Sequence, residues 1–244
     1  MWKVKPHDPA ALEGIRKEGR GMSRRVEIVE DILSANDRLA ADNRARMDAA
    51  GVFSVNLMAS PGAGKTTLIE QTITALRHRH RLAVIDGDLA TSLDADRAAA
   101  AGAEAVQINT GGQCHLDAVM VQRGLEALDL SRFDLLLVEN VGNLVCPASF
   151  DLGTHRRVLI ASVPEGDDKP YKYPGSYRAI DGLVLNKIDL LPYVRFDVDR
   201  FRHGVEILNP GVRFFPVSCT TGEGLAAWLE WLEVQVGERC VEVG

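Results

Sequence analysis

The sequence predicts an α/β protein with a doubly wound, mostly parallel sheet of about seven strands and one leading helix. Three observations support this class. After residue 51, short apolar runs alternate with segments of helical periodicity, as in strands joined by helical crossovers. Several runs are apolar on both faces, which a sheet covered by helices on each side requires. A glycine-rich turn follows the first run and opens a helix.

The elements follow in chain order. Residues 1–22 mix prolines and glycines with charges and are expected to form a flexible arm. Residues 23–50 are expected to form an amphipathic helix, with Ser23 as N-cap, because apolar residues recur at helical spacing. Residues 51–244 are expected to form one domain. Its predicted strands are Val52–Ala59, Arg81–Ile85, Ala105–Asn109, Phe133–Glu139, Arg157–Ser162, Ala179–Leu185 and Val212–Val217. Its predicted helices are Lys65–Arg79, Asp94–Ala101, His115–Leu128, Asp197–Leu208 and Leu225–Val236.

Composition narrows the classes of function. Of the 244 residues, 46% are hydrophobic and 25% are charged, as in an ordinary globular protein. The formal net charge of -6 argues against electrostatic binding to the phosphate backbone of DNA or RNA. No apolar run approaches the ~18 residues of a membrane span. Four cysteines in a chain of this length do not make a disulfide framework. We expect a cytoplasmic protein without membrane or nucleic-acid partners, whose cysteines need another explanation.

A phosphate-binding loop follows the first predicted strand. Residues 59–67 (ASPGAGKTT) match the pattern G-x-x-x-x-G-K-[ST], except that Ala59 stands in place of the first glycine. Glycines let backbone N–H groups turn toward phosphate oxygens, and the following helix adds its dipole. Lys65 supplies a mobile cation and Thr66 a hydroxyl for Mg²⁺. The expected phosphate-contacting residues are Gly62, Ala63, Gly64, Lys65, Thr66 and Thr67.

The expected base is guanine. The pattern N-K-x-D follows the sixth predicted strand, and Asp189 can accept hydrogen bonds from both donors on the guanine edge, a pair that adenine lacks. Asn186 can add an amide contact, and the stem of Lys187 can cover the ring. Ser218 and Cys219 follow the last strand, where a base-contacting loop is expected. For Cys219, packing as a small buried residue is the simpler explanation.

Carboxylates for magnesium and for hydrolysis follow two strands. Asp86 and Asp88 follow the second strand, and Glu139 ends the fourth in a Glu-x-x-Gly pattern in place of the commoner Asp-x-x-Gly. They are expected to hold Mg²⁺, directly or through water, or to orient the attacking water. For Asp86 and Asp88, capping of the next turn is the alternative. The expected catalytic residues are Lys65, Thr66, Asp88 and Glu139. No arginine that would stabilise the transition state can be assigned from the sequence.

Two cysteines and a histidine follow the third and fourth strands. Cys114, His115 and Cys146 form a soft thiol and imidazole set that suits Zn²⁺ or Ni²⁺. Neighbouring Cys114 and His115 are expected to point in different directions, so one chain does not secure a closed four-ligand site. A two-fold dimer could pool the cysteines of both subunits. Reduced thiols beside a solvent-facing histidine are the alternative. Other histidines, such as His155, are expected at the surface, and Cys240 is expected to have no role.

Four segments together resemble the hydrogenase nickel-incorporation GTPases, the HypB family. They are residues 60–67, 111–115 (GGQCH), 139–147 (ENVGNLVCP) and 186–189 (NKID). Residues 167–174 also look like that family's loop before the base-binding strand. The resemblance covers residues 23–244, and its specific part is the Cys-His and Val-Cys-Pro motifs, because phosphate loops are widely shared.

The resemblance implies a P-loop GTPase of the SIMIBI class that assists nickel insertion into the large subunit of nickel–iron hydrogenase. It implies GTP-dependent homodimerisation and a metal site at the dimer interface, with Cys114, His115 and Cys146 binding nickel or zinc. GTP or GDP with Mg²⁺, and a small HypA-like zinc-binding partner, are also implied. Family members often carry an N-terminal cysteine motif or histidine-rich stretch. Residues 1–25 hold one histidine and no cysteine, so an N-terminal nickel site is not expected.

Three other functions are consistent with parts of the pattern. A related GTPase chaperone could serve a urease-type or cobalamin enzyme, although the Val-Cys-Pro motif after Glu139 argues against this. A P-loop small-molecule kinase or ATP-dependent ligase would conflict with the guanine-type Asp189. A non-catalytic metal-binding scaffold would use nucleotide only to dimerise.

Overall fold

The computed structural model describes residues 28–88 and 93–242. These residues form a seven-stranded sheet in the order β3-β2-β4-β1-β5-β6-β7, and each neighbouring pair is parallel. The strands are β1 Phe53–Ala59, β2 Leu82–Asp88, β3 Glu104–Asn109, β4 Leu135–Glu139, β5 Arg156–Ser162, β6 Gly182–Asn186 and β7 Arg213–Pro216. The helices are α1 Ile28–Ala49, α2 Lys65–Leu76, α3 Leu93–Ala101, α4 Ala118–Glu126, α5 Lys169–Lys172, α6 Pro174–Arg178, α7 Val198–Leu208 and α8 Leu225–Glu242. The predicted doubly wound sheet is confirmed.

Helices cover both faces of the sheet, as the apolar strands require. One face packs against α2, α3 and α8, where the buried Trp228 donates its indole N–H to Thr72 Oγ1 at 2.9 Å. The other face packs against α1 and α4 in one cluster and against α6 and α7 in another. Successive strand residues point to opposite faces of the sheet, and because both faces are covered by helices, the strands are apolar along their whole length. Within the described ranges, no helix is long and apolar enough to cross a membrane.

A capping hydrogen bond places the start of α4 three residues after its predicted position. Periodicity predicts a helix from His115, but α4 begins at Ala118 because the Asp117 carboxylate accepts a hydrogen bond from Met120 N at 2.8 Å. The residues just before Asp117 are therefore free to follow a non-helical path. The two short helices α5 and α6 were not expected from periodicity, and each has a proline in its first turn.

The leading helix α1 packs through one stripe of side chains. Asn36, Ala40, Asn43 and Met47 are buried, and their spacing of four and three residues puts them on one face. The helix lies against α4. Its expected N-cap at Ser23 and the expected arm over residues 1–22 lie outside the described residues, as does the Cys240 side chain.

His155 is buried, so its expected surface position is wrong. Its Nδ1 accepts the backbone N–H of Ser54 at 3.0 Å, and its Nε2 lies 2.8 Å from Asp48 Oδ1 at the end of α1. Because Nδ1 acts as an acceptor, the ring carries its proton on Nε2 and donates it to Asp48. Burial is the main cause that lowers the pKa of His155 to about 4. The neutral ring thus ties α1 to the sheet.

Candidate nucleotide and metal site

The phosphate-binding loop lies between β1 and α2 at the carboxyl edge of the sheet. Gly62 and Gly64 have φ of +76° and +99°, a region that glycine enters without strain. A Cβ at Gly64 would collide with the side-chain amide of Asn186. The N-cap of α2 is Gly64, which offers no capping side chain, and the first turn of the helix lies beside a cavity of about 440 Å³. Ala59 is fully buried at the strand end, where a small side chain suffices.

Asn186 links residues 186–189, which are expected to contact the base and are called the base-reading segment below, to the phosphate loop by hydrogen bonds. Its Nδ2 donates to Ala63 O at 2.9 Å, and its Oδ1 accepts the backbone N–H groups of Lys187 and Cys219 at 2.7 and 3.2 Å. The Lys187 ammonium donates to Gly62 O at 2.7 Å, with the Lys187 backbone at a φ of +62°. These hydrogen bonds hold together three loops that follow three different strands.

Asp189 presents an unused hydrogen-bond acceptor at the base-reading end. Its Oδ1 is buried and accepts no hydrogen bond from any described residue. A buried oxygen of this kind is costly unless a ligand supplies donors, and the guanine edge supplies two. Ser218 is buried, and its Oγ accepts the Thr221 N–H at 3.1 Å. Burial raises the pKa of Cys219 to about 11, so this thiol stays neutral and packs in the core.

Three carboxylates meet beside the phosphate loop. Asp86, Asp94 and Glu139 each place an oxygen within 4.8 Å of the others. Glu139 accepts the Thr66 hydroxyl at 2.8 Å and lies 3.9 Å from the Lys65 ammonium. Within the described residues, Asp86 Oδ2 is buried without a hydrogen-bond partner. Oxygen ligands from carboxylates and a threonine hydroxyl are the donor set that Mg²⁺ prefers, so these residues fit a magnesium ion.

The protonation of these carboxylates supports the same interpretation. Burial, followed by the charges of Asp94 and Asp88, raises the pKa of Asp86 to about 7. Burial also raises the pKa of Glu139 to about 7, although Lys65 and Thr66 act in the opposite direction. A divalent cation would favour the charged forms of both groups. Lys65 only partly offsets the cost of burying these carboxylates, so the cluster is suited to a further positive charge such as a metal ion.

Two residues that line the nucleotide cavity were missed from the sequence. Asp94 joins Asp86 and Glu139 in the carboxylate cluster, and Asp88, at the end of β2, lies near enough to help raise the pKa of Asp86. Arg97 also lines the cavity, where Glu70 holds its guanidinium at 2.9 and 2.6 Å. Asp94 and Arg97 lie one turn apart on α3, and an acidic first turn by itself suggests only a favourable helix dipole. The sequence therefore contains no distinctive signal for either residue.

The two cysteines and the histidine converge within a single chain. Cys114, His115 and Cys146 place their ligand atoms within 4.8 Å of one another, and Cys114 Sγ lies 3.7 Å from His115 Nδ1. The expectation that Cys114 and His115 point apart is therefore wrong. Cys114 is exposed, and the other two residues are half-buried. We call residues 114–118 the Cys-His segment and residues 146–152 the Cys-Pro segment.

The environment of this trio suits a soft cation. The His115 ring stacks on Phe150 with centroids 4.1 Å apart, and burial lowers the pKa of His115, which favours the neutral ring that ligates metals. A hydrogen bond with Cys114, followed by burial, raises the pKa of Cys146. Two thiols with a positive ion between them would lose these protons. The trio provides three ligands, one fewer than a closed tetrahedral site needs.

Asn140 connects this trio to the nucleotide cavity. It follows Glu139 in the chain, and its Oδ1 accepts the N–H of Leu116, which follows His115, at 3.0 Å. Its Nδ2 donates to Asn56 Oδ1 at 3.2 Å in the sheet. Gly142 lies so close to the phosphate loop that an added Cβ would sit 3.3 Å from Pro61 Cα. One short segment thus contacts the phosphate loop, the carboxylates and the Cys-His segment.

The chain is similar in sequence to several known proteins. Residues 54–216 match the family model described as the CobW/HypB/UreG nucleotide-binding domain. The chain is 52% identical to the hydrogenase maturation factor HypB of Azotobacter chroococcum mcd 1, over 91% of this chain and 72% of that protein. It is 40% identical to the hydrogenase/urease maturation factor HypB of Helicobacter hepaticus, over 85% of this chain and 87% of that protein.

A solved structure extends the similarity to three dimensions. The crystal structure of HypB from Helicobacter pylori in complex with nickel superposes with a TM-score of 0.80 at 36% identity, covering 84% of this chain and 96% of that one. The family match over residues 54–216 includes the phosphate loop, residues 186–189 and both cysteine-bearing segments. The chain therefore belongs to the HypB family of hydrogenase maturation factors, P-loop proteins with a nucleotide-binding domain.

Proposed function

We propose that this protein is a GTP-hydrolysing metallochaperone that assists nickel insertion into nickel–iron hydrogenase and binds its metal at a GTP-dependent dimer interface. The observation that carries the proposal is the juxtaposition at one sheet edge of a phosphate cavity and the Cys114, His115 and Cys146 trio. Asn140 follows Glu139 in the chain and accepts the N–H of Leu116, so a movement of this strand end could reach the Cys-His segment.

Hydrolysis needs positioning and charge neutralisation more than covalent chemistry. Lys65 and the α2 N-terminus bind the phosphates, and Asp189 selects the base. Thr66, Asp86, Asp94 and Glu139 would hold magnesium, with Asp88 nearby at the end of β2; the ion would neutralise charge that develops on the phosphates. With the ion bound, Glu139 would be held in its charged form and would help to position water at the phosphates. Arg97 adds a partly neutralised cation to the cavity wall.

The metal cargo is bound by the trio together with a second copy of the chain. Three ligands per chain leave a four-coordinate ion incomplete, and two subunits related by a two-fold axis would supply the rest. Exposed Cys114 and half-buried Cys146 are accessible to such a partner. The exposed Val145 next to Cys146 would become buried there. Loop changes on hydrolysis would then open the interface and release nickel or zinc.

The expected partners and compartment follow from this role. We expect a HypA-like zinc-binding protein and the hydrogenase large subunit as protein partners, with no nucleic acid and no membrane. The free thiols of Cys114 and Cys146 need a reducing compartment, which supports the cytoplasm.

Metal competition and GTP turnover test this function together. In Cys146→Ala, nickel and zinc affinity should fall while GTP turnover of the metal-free protein stays at the wild-type rate, because among the described residues the thiol interacts with Cys114 and Asn143, which lie outside the lining of the nucleotide cavity. In Lys65→Ala, turnover should fall while metal binding by the isolated chain persists. Equal metal affinity in wild type and Cys146→Ala would overturn the metal role. Equal turnover in wild type and Lys65→Ala would support the non-catalytic scaffold.

A urease-type client is the second candidate, favoured by the similarity to a relative named a hydrogenase/urease maturation factor. Complementation separates the two clients. Expression in strains that lack the maturation GTPase should restore nickel-dependent hydrogenase activity. Restoration of urease activity alone would assign the other client.

A further inference from the structure

The leading helix α1 lies directly against both segments that carry the thiol–imidazole trio. The backbone of α1 approaches Gly153 so closely that an added Cβ there would collide with Ala40 O. Arg44 of α1 donates to Gly153 O at 2.6 Å and also to Thr154 O. The helix is therefore fixed beside the end of the Cys-Pro segment, and its position is not set by apolar packing alone.

Asn36 bridges the two segments with one side chain. Its Oδ1 accepts the backbone N–H of Ala118, the last residue of the Cys-His segment, at 2.9 Å. Its Nδ2 donates to the backbone carbonyl of Asp151 in the Cys-Pro segment at 2.8 Å. Asn36 is only 7% exposed, so water does not replace these bonds readily.

Asn43, two turns further along α1, makes a second bridge between the same segments. Its Nδ2 donates to Ala118 O at 2.9 Å and to Leu152 O at 3.2 Å. Asn43 is 1% exposed. Ala118 is thus held through both its N–H and its carbonyl, while two consecutive residues of the Cys-Pro segment are held through their carbonyls.

Resting on the function proposed above, we propose that Asn36 and Asn43 are positioning residues that hold the Cys-His and Cys-Pro segments at the separation needed for metal binding. The buried amides act through the backbone and touch no metal ligand. A buried asparagine amide is costly unless it has hydrogen-bond partners. For Asn36 and Asn43, backbone groups of the two ligand-bearing segments are those partners.

The distance between the Cys-His and Cys-Pro segments determines whether their three ligand atoms can reach one metal ion. Cys114 and His115 lie three to four residues before Ala118, and Cys146 lies five residues before Asp151. The His115 ring stacks on Phe150, next to the carbonyl that Asn36 binds. A shift of one segment against the other would therefore move His115 and Cys146 apart. Removal of groups that orient metal ligands costs about 10- to 100-fold in affinity in known sites.

The test compares Asn36→Ala, Asn43→Ala and Asn36→Asp with wild type. Asn36→Asp keeps the acceptor for Ala118 but removes the amide donor to Asp151, with almost no change in volume, and Asn43→Ala tests the second bridge without introducing a buried charge. Asp37→Ala and Asp42→Ala are matched controls, because both positions are exposed next to the asparagines on α1. Cys146→Ala is the positive control for loss of a ligand.

Three quantities are measured for each folded variant. Competition with a chromophoric chelator gives Ni²⁺ and Zn²⁺ affinity, thiolate-to-nickel charge-transfer absorption reports the ligand geometry, and a fluorescent GTP analogue gives nucleotide affinity. The asparagine variants should lose about 10- to 100-fold in metal affinity and shift the absorption band. Their GTP affinity should stay within about twofold of wild type, and the aspartate controls should match wild type throughout.

The possible outcomes separate this inference from the function on which it rests. Wild-type metal affinity and an unshifted band in Asn36→Asp and Asn43→Ala, with loss only in Cys146→Ala, would overturn the positioning role and leave the metal site intact. A lower melting temperature without a change in metal binding would reduce the asparagines to structural groups. If Cys146→Ala also bound metal like wild type, the proposed metal site itself would fail.

Discussion

Asp189→Asn replaces a half-buried carboxylate at the base-reading end of the cavity with an amide of the same shape. In the structure, Asp189 Oδ1 is buried and accepts no hydrogen bond from the described residues. Guanine would supply two donors to the carboxylate. Each hydrogen bond to a charged group contributes about 1.5–3 kcal/mol. The amide loses one of them, sets its own N–H against the guanine amine and weakens the other by removing the charge, so GTP binding should weaken by roughly 10²- to 10³-fold.

The base specificity should also change in a defined direction. Xanthine carries a carbonyl oxygen where guanine carries its exocyclic amine. The introduced amide can donate to that oxygen and accept from the ring N–H, so XTP should bind Asp189→Asn more tightly than GTP does. Asn186 and Lys187 stay in place, because their hydrogen bonds go to the phosphate loop.

Competition of GTP, XTP and ATP against a fluorescent guanine nucleotide measures both effects. Asp199→Asn is the matched control, since this carboxylate is exposed on α7 and away from the cavity. GTP affinity within about threefold of wild type in Asp189→Asn would refute the base assignment. ATP binding as tight as GTP in the wild type would refute it as well.

Three further predictions address the catalytic side chains and the fold. Glu139→Gln should lower magnesium-dependent GTP turnover about 10- to 100-fold in a steady-state assay, while GTP affinity without magnesium is kept or raised. Arg97→Ala should lower turnover about tenfold at unchanged GTP affinity, less than loss of an unpaired arginine costs, because Glu70 already neutralises much of its charge. Folding lowers the pKa of His155 from its ordinary value of 6.5 to about 4. As the pH falls, the unfolded chain therefore takes up this proton at a higher pH than the folded chain does. The free energy of unfolding is highest above pH ~6.5 and decreases as the pH falls toward 4. Urea unfolding should show about 2 kcal/mol more loss between pH 7 and pH 5 in wild type than in His155→Gln; equal losses would contradict this.

Local patterns were sufficient to predict the fold. Apolar runs such as β4 are buried on both faces of the sheet, and this burial makes them continuous in sequence. The phosphate loop was also predictable, because positive φ at Gly62 and Gly64 is a backbone requirement visible as residue type. Element ends were less predictable, since the start of α4 depends on one hydrogen bond from Met120 to Asp117.

Contacts between distant segments explain what the sequence did not predict. His155 is buried because Asp48, 107 residues earlier, reaches it from α1. The convergence of Cys114 with His115 follows from the non-helical path before Asp117, which periodicity does not predict. Asp94 joins the carboxylates only because α3 packs its first turn over the end of β2, where Asp86 accepts the backbone N–H of Ala95.

In the proposed function, GTP binding builds a dimeric metal site from Cys114, His115 and Cys146. Native mass spectrometry with nickel present, with and without a non-hydrolysable GTP analogue and magnesium, tests this directly. We expect a shift from the 26.6 kDa monomer to twice that mass with the analogue, with nickel retained in the dimer and lost in Cys146→Ala. A monomer that keeps the same nickel content with and without the analogue, and in Cys146→Ala, would contradict it.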